Sequence, residues 1–171
     1  MCIKGSVNSI QCVIVNIYAP NEKRARAEVF NELGGLKQSC QFPWVVGGDF
    51  NEVKRISERK GCTRATSGMR TFVNFISAMD LVDLPLVGRR FTWSNKQKNE
   101  KWSKLDRFLV SVEWIDYFKC VQKGLPRMLS DHCPLLLAGD EIDWGPKPFK
   151  HFNFWFRKEG MGLLFLRLGK V

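Results

Sequence analysis

The segment Phe42-Pro43-Trp44-Val45-Val46-Gly47-Gly48-Asp49 constrains the fold of this chain more than any other. An apolar run that stops at a glycine pair reads as a buried strand breaking into a turn. The turn delivers Asp49 and Asn51 to the strand's C-terminal end, where active-site residues commonly sit in open α/β sheets. A second apolar run, residues 11–18, ends at Ala19-Pro20 and reads as another buried strand, stopped by proline. Between the two, Ala25, Val29, Phe30, Leu33 and Leu36 recur at three- and four-residue spacing. That spacing predicts a helix, ending near Gln38, with one apolar stripe for the core.

Downstream, residues 52–67 form a charged stretch without periodicity. Ser67 can cap a helix in which Phe72, Phe75, Ile76 and Met79 fall at i, i+3, i+4 and i+7. Residues 81–86, 90–94, 102–110, 121–123 and 133–138 each read as strands, with 95–101 a polar hairpin turn and 112–118 one or two helical turns. After Gly139 the pattern stops. Residues 140–148 are acidic and then turn-rich, which reads as a linker, so the expected division is a domain over 1–139 and a tail over 140–171. The tail's aromatic cluster (Phe149, Phe152, Phe154, Trp155, Phe156) fits the cover of a core edge better than a stacking surface for bases. Residues 160–171 could form an amphipathic helix, against which stand three glycines.

With 44% hydrophobic and 26% charged residues over 171, the chain can bury a core, and disorder throughout is excluded. No apolar run is long enough to span a membrane, and the start lacks the features of a signal peptide, so a soluble, intracellular protein is expected. Six scattered cysteines without a C-x-x-C pair, and only two histidines, give no zinc-site spacing and read as reduced thiols. The net charge of +10 is uneven: residues 52–107 hold 13 Lys/Arg against 6 Asp/Glu. Such a stretch suits a polyanion, whose counterions are released on binding, although a solvated basic face is an equal reading of charge alone.

Four short segments carry the chemistry: Asn16-Ile17-Tyr18-Ala19-Pro20-Asn21, Gly47-Gly48-Asp49-Phe50-Asn51, Lys104-Leu105-Asp106-Arg107-Phe108-Leu109-Val110 and Ser130-Asp131-His132-Cys133-Pro134. Each ends or follows an expected strand. Singly they are ordinary turn and cap sequences. In this order they resemble the motifs of the endonuclease/exonuclease/phosphatase superfamily, the DNase I-like proteins. Gly-Asp-Phe-Asn-Glu at 48–52 together with Phe-Thr-Trp-Ser-Asn at 91–95 is similar to the endonuclease branch carried by LINE-type retrotransposons. The resemblance covers about residues 11–137, with residues 144–155 similar to the segment that in such elements leads toward a reverse transcriptase.

The resemblance implies an α+β fold, a four-layer α/β/β/α sandwich, and a Mg²⁺- or Mn²⁺-dependent nuclease acting on DNA, in the nucleus if functional. Its roles would fall on Asp49 to orient and deprotonate the attacking water and on Asn51 to bond that water or the phosphate. Tyr18 and Asn21 would hold phosphate and geometry. His132 would donate to a phosphate oxygen, with Asp106 accepting from its other ring nitrogen, and Asp131 would lie by the metal. Arg89, Arg90, Thr92 and Ser130 would contact nucleic acid. A carboxylate base, a His/Asp pair and a hard divalent ion also form a sufficient set for phosphodiester cleavage on chemical grounds alone. The resemblance further implies upstream strands, one bearing a metal-binding Glu. No carboxylate precedes Glu22 here, so a domain missing its first strands, with a raw sheet edge and impaired or absent activity, is expected. A non-catalytic nucleic-acid-binding remnant and a phosphatase of the same superfamily are the competing readings.

Overall fold

The computed structural model describes residues 1–95 and 97–139. In chain order its elements are β1 (Cys2–Val7), β2 (Ile10–Tyr18), α1 (Lys23–Gln38), β3 (Trp44–Asp49), α2 (Ser67–Ala78), β4 (Leu81–Asp83), β5 (Leu86–Val87), β6 (Trp93–Ser94), β7 (Trp102–Ser103), β8 (Asp106–Ser111), α3 (Val112–Tyr117), β9 (Cys120–Gly124) and β10 (Leu135–Gly139). The aromatic cluster and the glycine-rich end expected in the tail lie outside the described residues.

Two sheets organise the chain. The larger has the order β1-β2-β3-β8-β4, the smaller β10-β9-β5, and β6 with β7 forms a short hairpin. Alternation along the larger sheet sends its two faces to different partners. Val13, Val15, Ile17, Trp44, Val46 and Leu109 face Phe30 and Leu33 of α1 and Phe72, Phe75 and Ile76 of α2. Cys12, Val45 and Val110 pack on the other side with Leu84 and Trp114, and with Cys120 and Leu137 of the smaller sheet. The architecture is mixed α+β, with helices on one face of the larger sheet and a second sheet on the other. Gln122, fully buried, ties the sheets together: its side chain accepts from the Phe108 amide and donates to the Leu84 carbonyl.

The helices begin where caps are available. Glu22 accepts from the Ala25 amide at 2.7 Å and opens α1; the Thr66 hydroxyl, one residue before the expected cap at Ser67, accepts from Met69 at 3.1 Å and opens α2. The expected strand over 102–110 is broken at Lys104-Leu105 into β7 and β8, and residues 52–67 contain a 3-10 turn at Ile56–Glu58.

One expectation is corrected outright. The sequence reading placed no strand before residue 11, whereas β1 pairs antiparallel with β2 over its whole length and forms the sheet edge. Asn8 and Ser9 make the connection with φ of 48° and 68°, the doubly left-handed turn that matches hairpin twist. The strand Cys-Ile-Lys-Gly-Ser-Val is exposed along nearly all its length, so no apolar alternation announced it.

Candidate active site

Strand register builds the site. Tyr18 lies opposite Asp49 in the parallel β2/β3 pair, and Asp49 lies opposite Asp106 in the antiparallel β3/β8 pair. Three motif residues from distant parts of the sequence thus end up side by side at one end of the sheet. Gly48 makes the delivery possible: its φ is +134°, and a Cβ there would collide with the Ile17 carbonyl oxygen. Asn51 also adopts positive φ (49°), held by its amide donating to Asp49 Oδ1 at 2.8 Å and its side-chain amide donating to the Ala19 carbonyl at 2.7 Å. A left-handed non-glycine backbone costs energy and persists where the surroundings over-determine it.

The fourth motif arrives along the hairpin strand. The Cys133 amide donates to the Thr92 carbonyl at 2.7 Å and the Ser94 amide to the Asp131 carbonyl at 3.1 Å, with His132 bridged to Trp93. This places His132 Nδ1 2.9 Å from Asp106 Oδ2 and 3.1 Å from Oδ1, while Nε2 stands 4.0 Å from Asp49 Oδ2. A cavity of about 1210 Å³ opens over these groups. Tyr18, Asn21, Asp49, Asn51, Asp131 and His132 line it, joined by the cations Arg59, Lys60, Lys98 and Lys101. Asp106 and Ser130 stand behind His132, lining a neighbouring groove.

The remaining expected residues go elsewhere. Thr92 was expected to contact nucleic acid, yet it is fully buried, and its hydroxyl accepts from the amides of Leu105 and Asp106 at 3.0 Å each. It fixes the start of β8 and cannot reach a ligand, because the core closes over it. Arg89 donates through Nε to the Leu125 carbonyl at 2.7 Å and its stem packs on Gly124, so its first role is to hold the loop after β9. Arg90 is exposed and lines a separate cavity. Ser130 donates to Asp131 and accepts from the His132 amide, which shapes the loop.

Burial holds the Asp49 carboxyl above the ordinary carboxylate value; the Asn51 amide opposes this, while the charges of Asp106 and Asp131 add to the rise and His132 counters it. Asp131 goes the other way: the Trp93 indole N–H, 2.9 Å from Oδ2, holds it below the usual range. Ligand atoms of Asp49, Asp106 and His132 all lie within 4.8 Å of one another, a group able to approach a metal ion. Much of its donor capacity is committed. Both Asp106 oxygens face the imidazole, Asp49 Oδ1 accepts from Asn51, and Asp131 Oδ2 accepts from Trp93. Oxygen donors suit Mg²⁺ or Mn²⁺, but the set fits such an ion only as a loosely held one, completed by water and substrate oxygens.

Sequence reasoning missed the clamp behind the site. Arg26, 7% exposed, donates to the Pro20 and Asn21 carbonyls at 3.0 and 2.9 Å and to Glu52 Oε2 at 2.9 Å. It joins the loop of Tyr18 and Asn21 to the loop of Asp49 and Asn51. The signal was a charged residue at i relative to Phe30 and Leu33, on the apolar stripe of α1. Glu52 also meets Arg59 at 3.5 Å, so this carboxylate, nearest in sequence to Asn51, is spoken for. A second buried set lies below: Arg107 pairs with Glu58 and Asp83 at 2.9 Å, and Lys104 with Asp83 at 3.2 Å.

This fold and this strand-end cluster define a DNase I-like domain of the endonuclease/exonuclease/phosphatase superfamily. Residues 12–136 match the family described as endonuclease-reverse transcriptase, and the chain belongs to that family. Among solved structures it is similar to the 3′ phosphatase NExo from Neisseria, bound to a product DNA hairpin (16% identity, 82% of this chain and 65% of that one, TM-score 0.63). It is also similar to the endonuclease domain of TRAS1, a telomere-specific non-LTR retrotransposon (11%, 81% and 62%, 0.60), and to an AP endonuclease from Archaeoglobus fulgidus (16%, 82% and 65%, 0.60). At these identities the likeness is one of fold, and the chain spans less than two thirds of each. No curated protein sequence matches it. Among the described residues no helix is long and apolar enough to cross a membrane.

Proposed function

We propose that the chain is the phosphodiester-cleaving part of a divalent-metal-dependent DNA endonuclease of the retrotransposon type, partnered in an intact element by a reverse transcriptase and working in the nucleus. The observation that carries this is the line Asp106–His132–Asp49, whose His132 and Asp49 line a cavity together with Arg59, Lys60, Lys98 and Lys101. The family and the fold likeness to the TRAS1 domain support the retrotransposon branch.

In this reading Asp106 occupies His132 Nδ1, which leaves Nε2 to donate to a non-bridging phosphate oxygen as charge grows on it. The 4.0 Å gap between Nε2 and Asp49 leaves both groups facing one reacting phosphate. Asp49, its basicity raised by burial, orients a water and accepts its proton as the water oxygen bonds to phosphorus. The bond from phosphorus to the leaving 3′ oxygen breaks, and that oxygen takes a proton from solvent water to become the 3′ hydroxyl. Asn51 holds the water, and Tyr18 and Asn21 at the rim hold the flanking phosphate. Asp131 would hold Mg²⁺ or Mn²⁺, which when bound supplies neutralisation of the phosphate's charge. With so few uncommitted oxygens the ion is held weakly, so this chain by itself cleaves slowly or not at all.

A supercoiled-plasmid nicking assay with Mg²⁺, Mn²⁺ or chelator tests both parts. Any nicking should be faint, stronger with added metal, and absent from Asp49→Ala and His132→Ala. Residual nicking unchanged in those variants would remove the catalytic reading, and vigorous nicking at low metal concentration would remove the weak-metal reading.

A further inference from the structure

A second cavity, of about 570 Å³, lies on the far side of the loop Arg59–Lys60–Gly61–Cys62, whose residues line both it and the active-site cavity. Among the described residues its remaining wall is Ile56, Ser57, Arg90, Phe91 and Trp102, so these, with the loop, present two aromatic rings and three cations and no carboxylate. Phe91 and Trp102 are neighbours, their ring centroids 6.3 Å apart. Each also carries a guanidinium: Arg90 lies 5.2 Å from the Phe91 centroid and Arg127 4.9 Å from that of Trp102.

We propose that this cavity is a stacking site for an unpaired nucleotide of the DNA held at the active site. The inference rests on nucleic acid being the substrate there. Rings with interleaved cations and no acid match a base flanked by phosphates, the chemistry of single-strand binding surfaces. A base inside a duplex has both faces occupied by its neighbours, so only an unpaired one can enter and stack. The shared loop gives the path: a strand whose phosphate sits by His132 passes Arg59 and Lys60 before reaching Phe91 and Trp102. Arg90 and Lys60 then meet the phosphates on either side of the stacked base.

The test is fluorescence anisotropy in chelator, so that nothing is cleaved, with a short fluorescein-labelled DNA duplex either fully paired or carrying a bulge of unpaired thymidines. The wild-type chain should prefer the bulged duplex by about tenfold, the scale of one base stacked on an aromatic ring. Trp102→Ala should abolish the preference and Trp102→Phe should keep most of it. If the alanine variant does not fold, Phe91→Leu, which keeps apolar volume, carries the same prediction. Failure of the wild type to bind either duplex would overturn both this proposal and the nucleic-acid reading, whereas equal binding of the two overturns this proposal alone. Equal affinity of the wild type for both duplexes, or a preference that survives in folded Trp102→Ala or Phe91→Leu, overturns the proposal.

Discussion

Arg26 and Glu52, 26 residues apart in sequence, meet through Nη2 and Oε2 at 2.9 Å with side chains only 8% and 6% exposed. Buried pairs of this kind are weak evidence of stability when formed but costly when one partner is removed, because the other charge is stranded. Here the pair also sets the spacing between the two loops that carry Tyr18, Asn21, Asp49 and Asn51.

Glu52→Ala should therefore lower the free energy of unfolding by about 3–5 kcal/mol, since Arg26 is left buried and unpaired and Arg59 loses a partner. Urea denaturation measures this. A loss below about 1 kcal/mol would mean that water or loop movement readily replaces the carboxylate.

Thr92→Val should leave the Leu105 and Asp106 amides without their acceptor, at about 1–3 kcal/mol for each unsatisfied buried group. Thr92→Ser should restore most of the loss. The same ordering should appear in any metal-dependent nicking, because Asp106 sits on the displaced backbone. Equal stability of the valine and serine variants in thermal melts would show that the hydroxyl bonds contribute nothing.

The raised Asp49 carboxyl predicts a pH-dependent stability of definite sign. Its folded value lies above its unfolded one, chiefly through burial, so the folded state binds the proton more tightly. Stability then falls as pH rises from the unfolded value through the folded one, and the full penalty persists above it. Asp49→Asn should raise the melting temperature at neutral pH, with the gain shrinking toward acid pH, while removing any nicking. A variant less stable than wild type at neutral pH would show that ionised Asp49 stabilises the fold through Asn51 and His132.

Arginines 89 and 90, adjacent in sequence, should behave differently. Arg90→Gln should reduce the slope of log affinity for duplex DNA against log salt by about one. Arg89→Gln should change that slope little and instead loosen the loop after β9, where its guanidinium holds the Leu125 carbonyl. Identical salt slopes for wild type and Arg90→Gln would move the phosphate contacts elsewhere on the basic surface.

What the sequence determined by itself is local. The apolar runs before Pro20 and Gly47, the stripes of Phe30 and Leu33 and of Phe72, Phe75 and Ile76, and the placing of polar motifs at strand ends all follow from periodicity and turn chemistry within a few residues. What only the tertiary structure decided is non-local. Tyr18, Asp49 and Asp106 stand abreast because β2, β3 and β8 pair in one register, and a shift by a single residue would turn each to the opposite face. Thr92 reads as a surface residue until the hairpin folds over β8, and Arg26, a charge on the apolar stripe of α1, has no partner in the sequence until Glu52 and two carbonyls close around it. The edge strand β1 buries almost nothing, so its only trace in the sequence was the turn at Asn8-Ser9. Burial and hydrogen-bond partners belong to pairs of residues far apart in the chain, and for that reason composition and spacing could point to the ends of the strands but not to the groups that meet there.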